Sequence, residues 1–243
     1  MTRAHCARVS RMNVFCADYP RWIKGIRDGV LGAAMVLVLG RAGWSGLNGD
    51  RMRLLAQQRY GAAAAEAVEV WRGSMASWRD LPEEDQLRRV NEFFNRRVRF
   101  VDDVEAWGQT DYWATPLEVL ARGVGDCEDF VIAKYFSLRD LGVSDARLRL
   151  TYVKARVGGP GSSVFLAHMV LSYYPTPDSV PLILDNLIRD IRPASSRPDL
   201  APVFSFNSQG IFVGTANQVA SPVDRVSRWP ELLVRMRAEG YEP

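Results

Sequence analysis

Beyond residue 46 the chain holds one cysteine, Cys127, and one histidine, His168. A thiolate can attack a carbonyl, and an imidazole can take and return the proton near neutral pH. Asp185 closes the apolar run in LILDNL, where a carboxylate could hold such an imidazole in one tautomer. The three follow one another as nucleophile, base and orienter. A structural reading stands beside this one: a buried cysteine, a satisfied core histidine in FLAHMVL and a turn aspartate. The surroundings of the cysteine sharpen the question. In GVGDCEDF it lies between Asp126 and Glu128, with Asp129 next. Carboxylates raise a neighbouring thiol's pKa, so either Cys127 is inert or something nearby cancels their charge.

The patterns around these residues show what must position them. Residues 49–75 read as helical with a break at Gly61, and a second helix follows Pro82 at N1, with Asp80 as a candidate N-cap. That helix gathers Leu87, Val90, Phe93, Phe94 and Val98 on one face and ends in Arg96, Arg97 and Arg99. A long, mostly irregular segment rich in Trp, Asp and Gly comes next, with a short helix starting at Thr115–Pro116. A further helix is expected from about Cys127 to Leu141, with Asp126 as N-cap and Gly142 as C′. Its apolar positions run nearly all the way round, which marks a central helix. The period then changes to two. RLRLTYVKARV and VFLAHMVLSYY read as an antiparallel pair joined by a Gly-rich loop, LILDNL as a third strand, and WPELLVRMRAEG as a closing helix. Helices first and an antiparallel sheet later make an α+β order.

The 243-residue chain has ordinary globular composition, with 47% hydrophobic and 24% charged residues. Its net charge of +3 resides at the N-terminus, since residues 1–46 hold seven basic and two acidic side chains and leave the rest at −2. Nucleic acid is therefore not an expected partner. Arg21, Lys24 and Arg27 precede the apolar run GVLGAAMVLVLG, and small residues follow, as in an export signal. The run is short for a membrane span, which takes about 20 residues. An uncleaved anchor and a buried helix are the other readings, and Met12 is an alternative start. The expected organisation is a leader over 1–46 and one domain over 47–243, exported to the periplasm. An exported chain with a single cysteine forms no internal disulfide.

The stretch DYWATPLEVLARGVGDCEDFVIAKYFSLRDLGV, supported in order by VNEFFN, AHMVL and LILDNL, resembles the bacterial transglutaminase-like cysteine proteinases. The resemblance implies a papain-like core with the nucleophile on a central helix packed on an antiparallel sheet. It implies Cys127 as nucleophile, His168 as base and then acid, and Asp185 as orienter. It also implies calcium bound beside the thiol, with Asp126, Glu128 and Asp129 as oxygen ligands and Asp111 as a fourth candidate. The ion would absorb the charge that opposes the thiolate. The competing role for these acids is helix capping and dipole stabilisation, and for Asp111 a turn. For the oxyanion, the Cys127 N–H is the first expected donor, with Gln109, Tyr112 or Trp113 as candidates for the second. Trp107, Trp113 and Trp229 could rim a groove. The implied substrate is the N-terminal region of a large cell-surface adhesin, and the implied partner is an inner-membrane cyclic di-GMP receptor that sequesters the protease. Two other functions share these residues: an amide-transferring transglutaminase, and a calcium-binding partner module without catalysis.

Overall fold

The computed structural model describes residues 46–213 and 218–242, so the predicted leader lies almost wholly outside the described part. In chain order the elements are β1 (Gly46–Leu47), α1 (Gly49–Tyr60), α2 (Ala62–Trp78), α3 (Glu83–Arg97), β2 (Arg99–Phe100), α4 (Asp103–Trp107), α5 (Pro116–Arg122), β3 (Val124–Gly125), α6 (Cys127–Asp140), β4 (Leu148–Val157), β5 (Val164–Tyr173), β6 (Leu182–Leu184), β7 (Arg192–Pro193), β8 (Leu200–Asn207), β9 (Gly210–Val213), α7 (Arg228–Ala238) and β10 (Tyr241–Glu242). The α+β order expected from the sequence is observed. Among the described residues no helix is long and apolar enough to cross a membrane.

Gly61, at φ 90°, makes the break between α1 and α2. Pro82 is the N-cap of α3 and not its first helical residue, and its side chain supplies no capping bond, so neither the N1 placement nor an Asp80 cap is seen. The segment read as mostly irregular contains α4, a single short turn of helix too brief to show a period. The cap of α5 is complete: Thr115 Oγ1 accepts from the Glu118 N–H at 3.2 Å, and Glu118 Oε2 accepts from the Thr115 N–H at 2.8 Å.

Helix α6 is central, with every residue from Asp129 to Leu138 buried. Trp71 of α2 donates to Ser137 Oγ at 3.1 Å, and Phe136 stacks on Trp229 of α7 with centroids 5.7 Å apart. The main sheet has six strands in the order β7-β6-β5-β4-β8-β9, all neighbours antiparallel. β4 and β5 pair over their full length, from Leu148↔Tyr173 to Val157↔Val164. Side chains alternate between the faces of a strand. One face carries Leu150, Tyr152, Phe204 and Phe206, with Phe206 packed against Trp113 and Trp229. The other face carries Thr151, Val153, Val170, Ser172, Ile183 and Ser205.

Candidate active site

Cys127 opens the first turn of α6, directly after Asp126, the N-cap residue in extended backbone. Amide groups and the helix dipole favour negative charge at that position. Gly125 is needed here because a Cβ on it would lie 2.7 Å from the Asp129 Cβ. Cys127 as a residue is half-buried, and its Sγ donates to Glu128 Oε2 at 2.8 Å. The Met169 backbone N–H is directed at the same sulfur. Met169 follows His168 on β5, and β5 does not pair with β6 until Leu171. The head of α6 therefore meets β5 where its edge is open, one residue from the imidazole. Burial first, then the Glu128 and Asp126 carboxylates, push the thiol pKa well above its usual value, and the Met169 N–H works against them.

His168 is buried, and its Nε2 lies 2.9 Å from Asp185 Oδ1. Asp185 is wholly buried and fully engaged. Its Oδ1 also accepts from the Leu187 N–H at 3.0 Å, its Oδ2 accepts from Arg197 Nη2 at 2.8 Å, and its backbone carbonyl accepts from Asn95 Nδ2 at 2.7 Å. Burial by itself would raise this carboxyl's pKa, but His168, the Leu187 N–H and Arg197 outweigh it and hold the group well below the usual carboxylate range. An ionised carboxylate only accepts, so the imidazole donates from Nε2 and Nδ1 is left as the acceptor. The structure thus joins His168 to Asp185 directly and sets Cys127 beside the next residue. Among the described residues no hydrogen bond links Cys127 to His168.

The acids form a second cluster. Asp103, Asp126 and Asp129 each bring one carboxylate oxygen within 4.8 Å of the others, and a carboxylate oxygen each of Asp126 and Glu128 groups in the same way with the Cys127 Sγ. Asp129 is held by the Ala114 N–H at 2.7 Å, by Trp107 Nε1 at 3.2 Å and by the Asp126 N–H at 3.4 Å. One oxygen each on Asp103 and Asp126 is buried with no partner among the described residues. Burial, then repulsion from Glu128, Asp129 and Asp103, pushes the Asp126 carboxyl up to about 11. Burial, with repulsion from Glu128, Asp111 and Asp102, pushes Asp103 up to about 6, against the pull of the Tyr112 N–H. Crowded carboxylates with orphaned oxygens are the donor set a hard divalent cation takes, so the residues fit calcium.

Asp111 stands differently. It sits in the left-handed region at φ 56°, and its Oδ2 pairs with Arg228 Nε at 3.2 Å on an exposed surface. Asp103, which no sequence motif singled out, is the acid grouped with Asp126 and Asp129. The aromatic candidates also move. The Tyr112 hydroxyl donates to Glu118 Oε1 at 2.7 Å, Trp113 is buried in a stack on Phe206, and Trp229 is core. Gln109 is exposed. Arg197 is the other residue the sequence reading missed, because only the fold carries it back to Asp185.

A sequence profile of the bacterial transglutaminase-like cysteine proteinases matches residues 66–198. The chain belongs to this family. Solved structures of Legionella pneumophila LapG are similar to it. One is 38% identical with a TM-score of 0.67, covering 79% of this chain and 98% of that one. An EGTA-treated form of LapG gives 38% identity and a TM-score of 0.69, with the same coverage of 79% and 98%. A calcium-bound form gives 39% identity and a TM-score of 0.65, covering 77% and 98%. No match was found among curated proteins. The expected transglutaminase-like α+β core and cysteine peptidase class are both borne out at this level. As a transglutaminase-like cysteine proteinase, the chain has one cysteine among its described residues, Cys127.

Proposed function

We propose that this protein is a calcium-dependent cysteine endopeptidase whose catalytic residues are Cys127, His168 and Asp185. One observation carries the reading: the thiol at the head of α6 meets β5 beside the buried His168–Asp185 pair. His168 Nδ1 takes the thiol proton, and the thiolate attacks the scissile carbonyl. Nδ1 then returns the proton to the leaving amine, takes one from water as it attacks the acyl-enzyme, and the Cys127 thiolate leaves. Asp185 keeps Nε2 protonated throughout and steadies the imidazolium. The Cys127 N–H, at the positive end of α6, faces the developing oxyanion.

Calcium would be held by Asp126, Asp129, Glu128 and Asp103, with Asp111 as the weaker candidate. A bound divalent cation supplies positive charge beside the thiol and offsets the carboxylates that suppress it. The calcium-bound and EGTA-treated forms of the Legionella relative support this reading. The substrate is the N-terminal region of a large cell-surface adhesin, the site of action is the periplasm, and a cyclic di-GMP receptor in the inner membrane sequesters the enzyme. These three assignments rest on the family resemblance and the charged, then apolar, N-terminal segment.

The test is incubation of the purified protein with an adhesin N-terminal fragment, with calcium and with EGTA, read by gel and mass spectrometry. Cutting at one site that needs both calcium and Cys127 is the expected result. Labelled-amine incorporation in place of cutting would move the assignment to amide transfer.

A further inference from the structure

On the sheet face that carries Thr151 and Val170, a half-open cavity of about 430 Å³ lies between the sheet and the β5–β6 connection. Val153, Val170, Ile183 and Leu200 give it an aliphatic lining, and Pro177 and Pro181 wall it from the connection. Thr151 Oγ1 and Ser172 Oγ bond to each other at 2.8 Å, so they are satisfied. Ser205, directly across from Thr151 on β8, also lines the cavity, and its Oγ is buried with no partner among the described residues. Arg197 lines it as well. Only 2% of its side chain is exposed, and its Nη1 is likewise buried with no partner among the described residues. A buried donor left unmade costs about 1–3 kcal/mol, so two such atoms at one apolar cavity mark where a ligand's polar group belongs.

The charge balance defines that group. The remaining donors of Arg197 are committed: Nη2 to Asp185 at 2.8 Å and to Asp199 at 2.7 Å, and Nε to Asp199 at 3.0 Å. Two carboxylates already answer one guanidinium. A carboxylate or phosphate head would enter a field that is already negative. An uncharged acceptor would not, and it satisfies Nη1, which can only donate. A volume of this size suits a small molecule.

We propose that this cavity binds a neutral small molecule with an aliphatic body and a carbonyl head, an acyl amide or ester, placed against Arg197 Nη1 and Ser205 Oγ. Arg197 also holds Asp185, which holds His168, so occupancy is transmitted to the His168 ring. The binding itself does not depend on the protease reading; only the meaning of the effect at His168 rests on it.

The test is a methyl and imidazole NMR titration of the full chain with octanamide, with octanoate as the charged analogue of the same length. Octanamide is expected to shift the Val153, Val170 and Ile183 methyls saturably and to move the His168 ring signals with the same midpoint. Octanoate is expected to bind at least about tenfold more weakly, and Ser205→Ala to weaken octanamide by about tenfold. Ala194→Leu, which fills the cavity from its wall, should abolish the shifts. If that variant fails to fold, as judged by its methyl spectrum, Ser205→Ala alone decides. No saturable shift with octanamide, tighter binding of octanoate, or unchanged binding in Ser205→Ala would each overturn the proposal. Methyl shifts without movement of His168 would overturn the transmission to the imidazole.

Discussion

Arg197 Nη2 lies 2.8 Å from Asp185 Oδ2, the carboxylate oxygen that His168 leaves open. Both side chains are buried, at 2% and 0% exposure. Removing one member strands the other's charge, which costs about 3–5 kcal/mol. Arg197→Met is expected to lose stability in that range by urea denaturation at pH 7. Asp185 has a depressed pKa, so its contribution is present above the ordinary carboxyl value of 3.8 and fades as pH falls towards the folded value. The variant should therefore unfold in acid at a higher pH than the wild type. An unchanged acid limb would show that Arg197 does not hold Asp185 ionised.

Replacing Cys127 with alanine is expected to lower cleavage by at least about a thousandfold while leaving the far-ultraviolet spectrum unchanged. His168→Ala should match it, because nucleophile and base act as one unit. Cleavage that survives either change would remove the triad.

The two candidate ligand sets for calcium predict different mutants. Asp103 belongs to the buried carboxylate cluster, whereas Asp111 already pairs with Arg228. Asp103→Asn is expected to weaken calcium binding by about tenfold or more in calorimetry, each tenfold being about 1.4 kcal/mol. Asp111→Asn should change it by less. The reverse order would restore Asp111 as the ligand.

Calcium should also wake the thiol. Burial and the Glu128 and Asp126 charges raise the Cys127 pKa, and a cation that offsets those charges lowers it. Alkylation by iodoacetamide at pH 7.5 is expected to quicken on adding calcium and to slow again with EGTA, approaching tenfold for each unit the pKa falls. In the absence of calcium, Glu128→Gln should speed it too. A rate indifferent to calcium would break the link between metal and nucleophile.

Lys134 is fully buried in α6, with its Nζ 5.6 Å from the Phe130 ring centroid and no hydrogen-bond partner among the described residues. Burial lowers its pKa from 10.5 to about 7, against the attraction of Asp185. The folded state thus disfavours the charged amine. That cost is full below about pH 7, fades as pH rises and is gone above the unfolded value. Lys134→Met is expected to stabilise the fold by on the order of 3 kcal/mol at pH 6.5 and by little at pH 10. Equal gains in thermal midpoint at both pH values would show that the charge is not the cause.

Local pattern alone determined the helices around Leu87 and Phe136, the β4–β5 pair and the scarcity of candidate nucleophiles, because period and composition are properties of neighbouring residues. It also placed Cys127 at a helix start, since Asp126 and the apolar run after it mark one. It could not place Pro82 within its cap, where one residue's difference leaves the pattern unchanged, nor find α4, which is too short for a period. Contacts between distant segments belonged to the tertiary structure. Asp103 joins Asp126 and Asp129 only because α4 folds back against the head of α6. Arg197 reaches Asp185 only because the chain returns from β7 towards β8. Trp113 and Trp229, equally suited by type to a groove, are core because the sheet and α6 close over them. Burial and charge pairing depend on which surfaces meet, and no spacing along the chain records that.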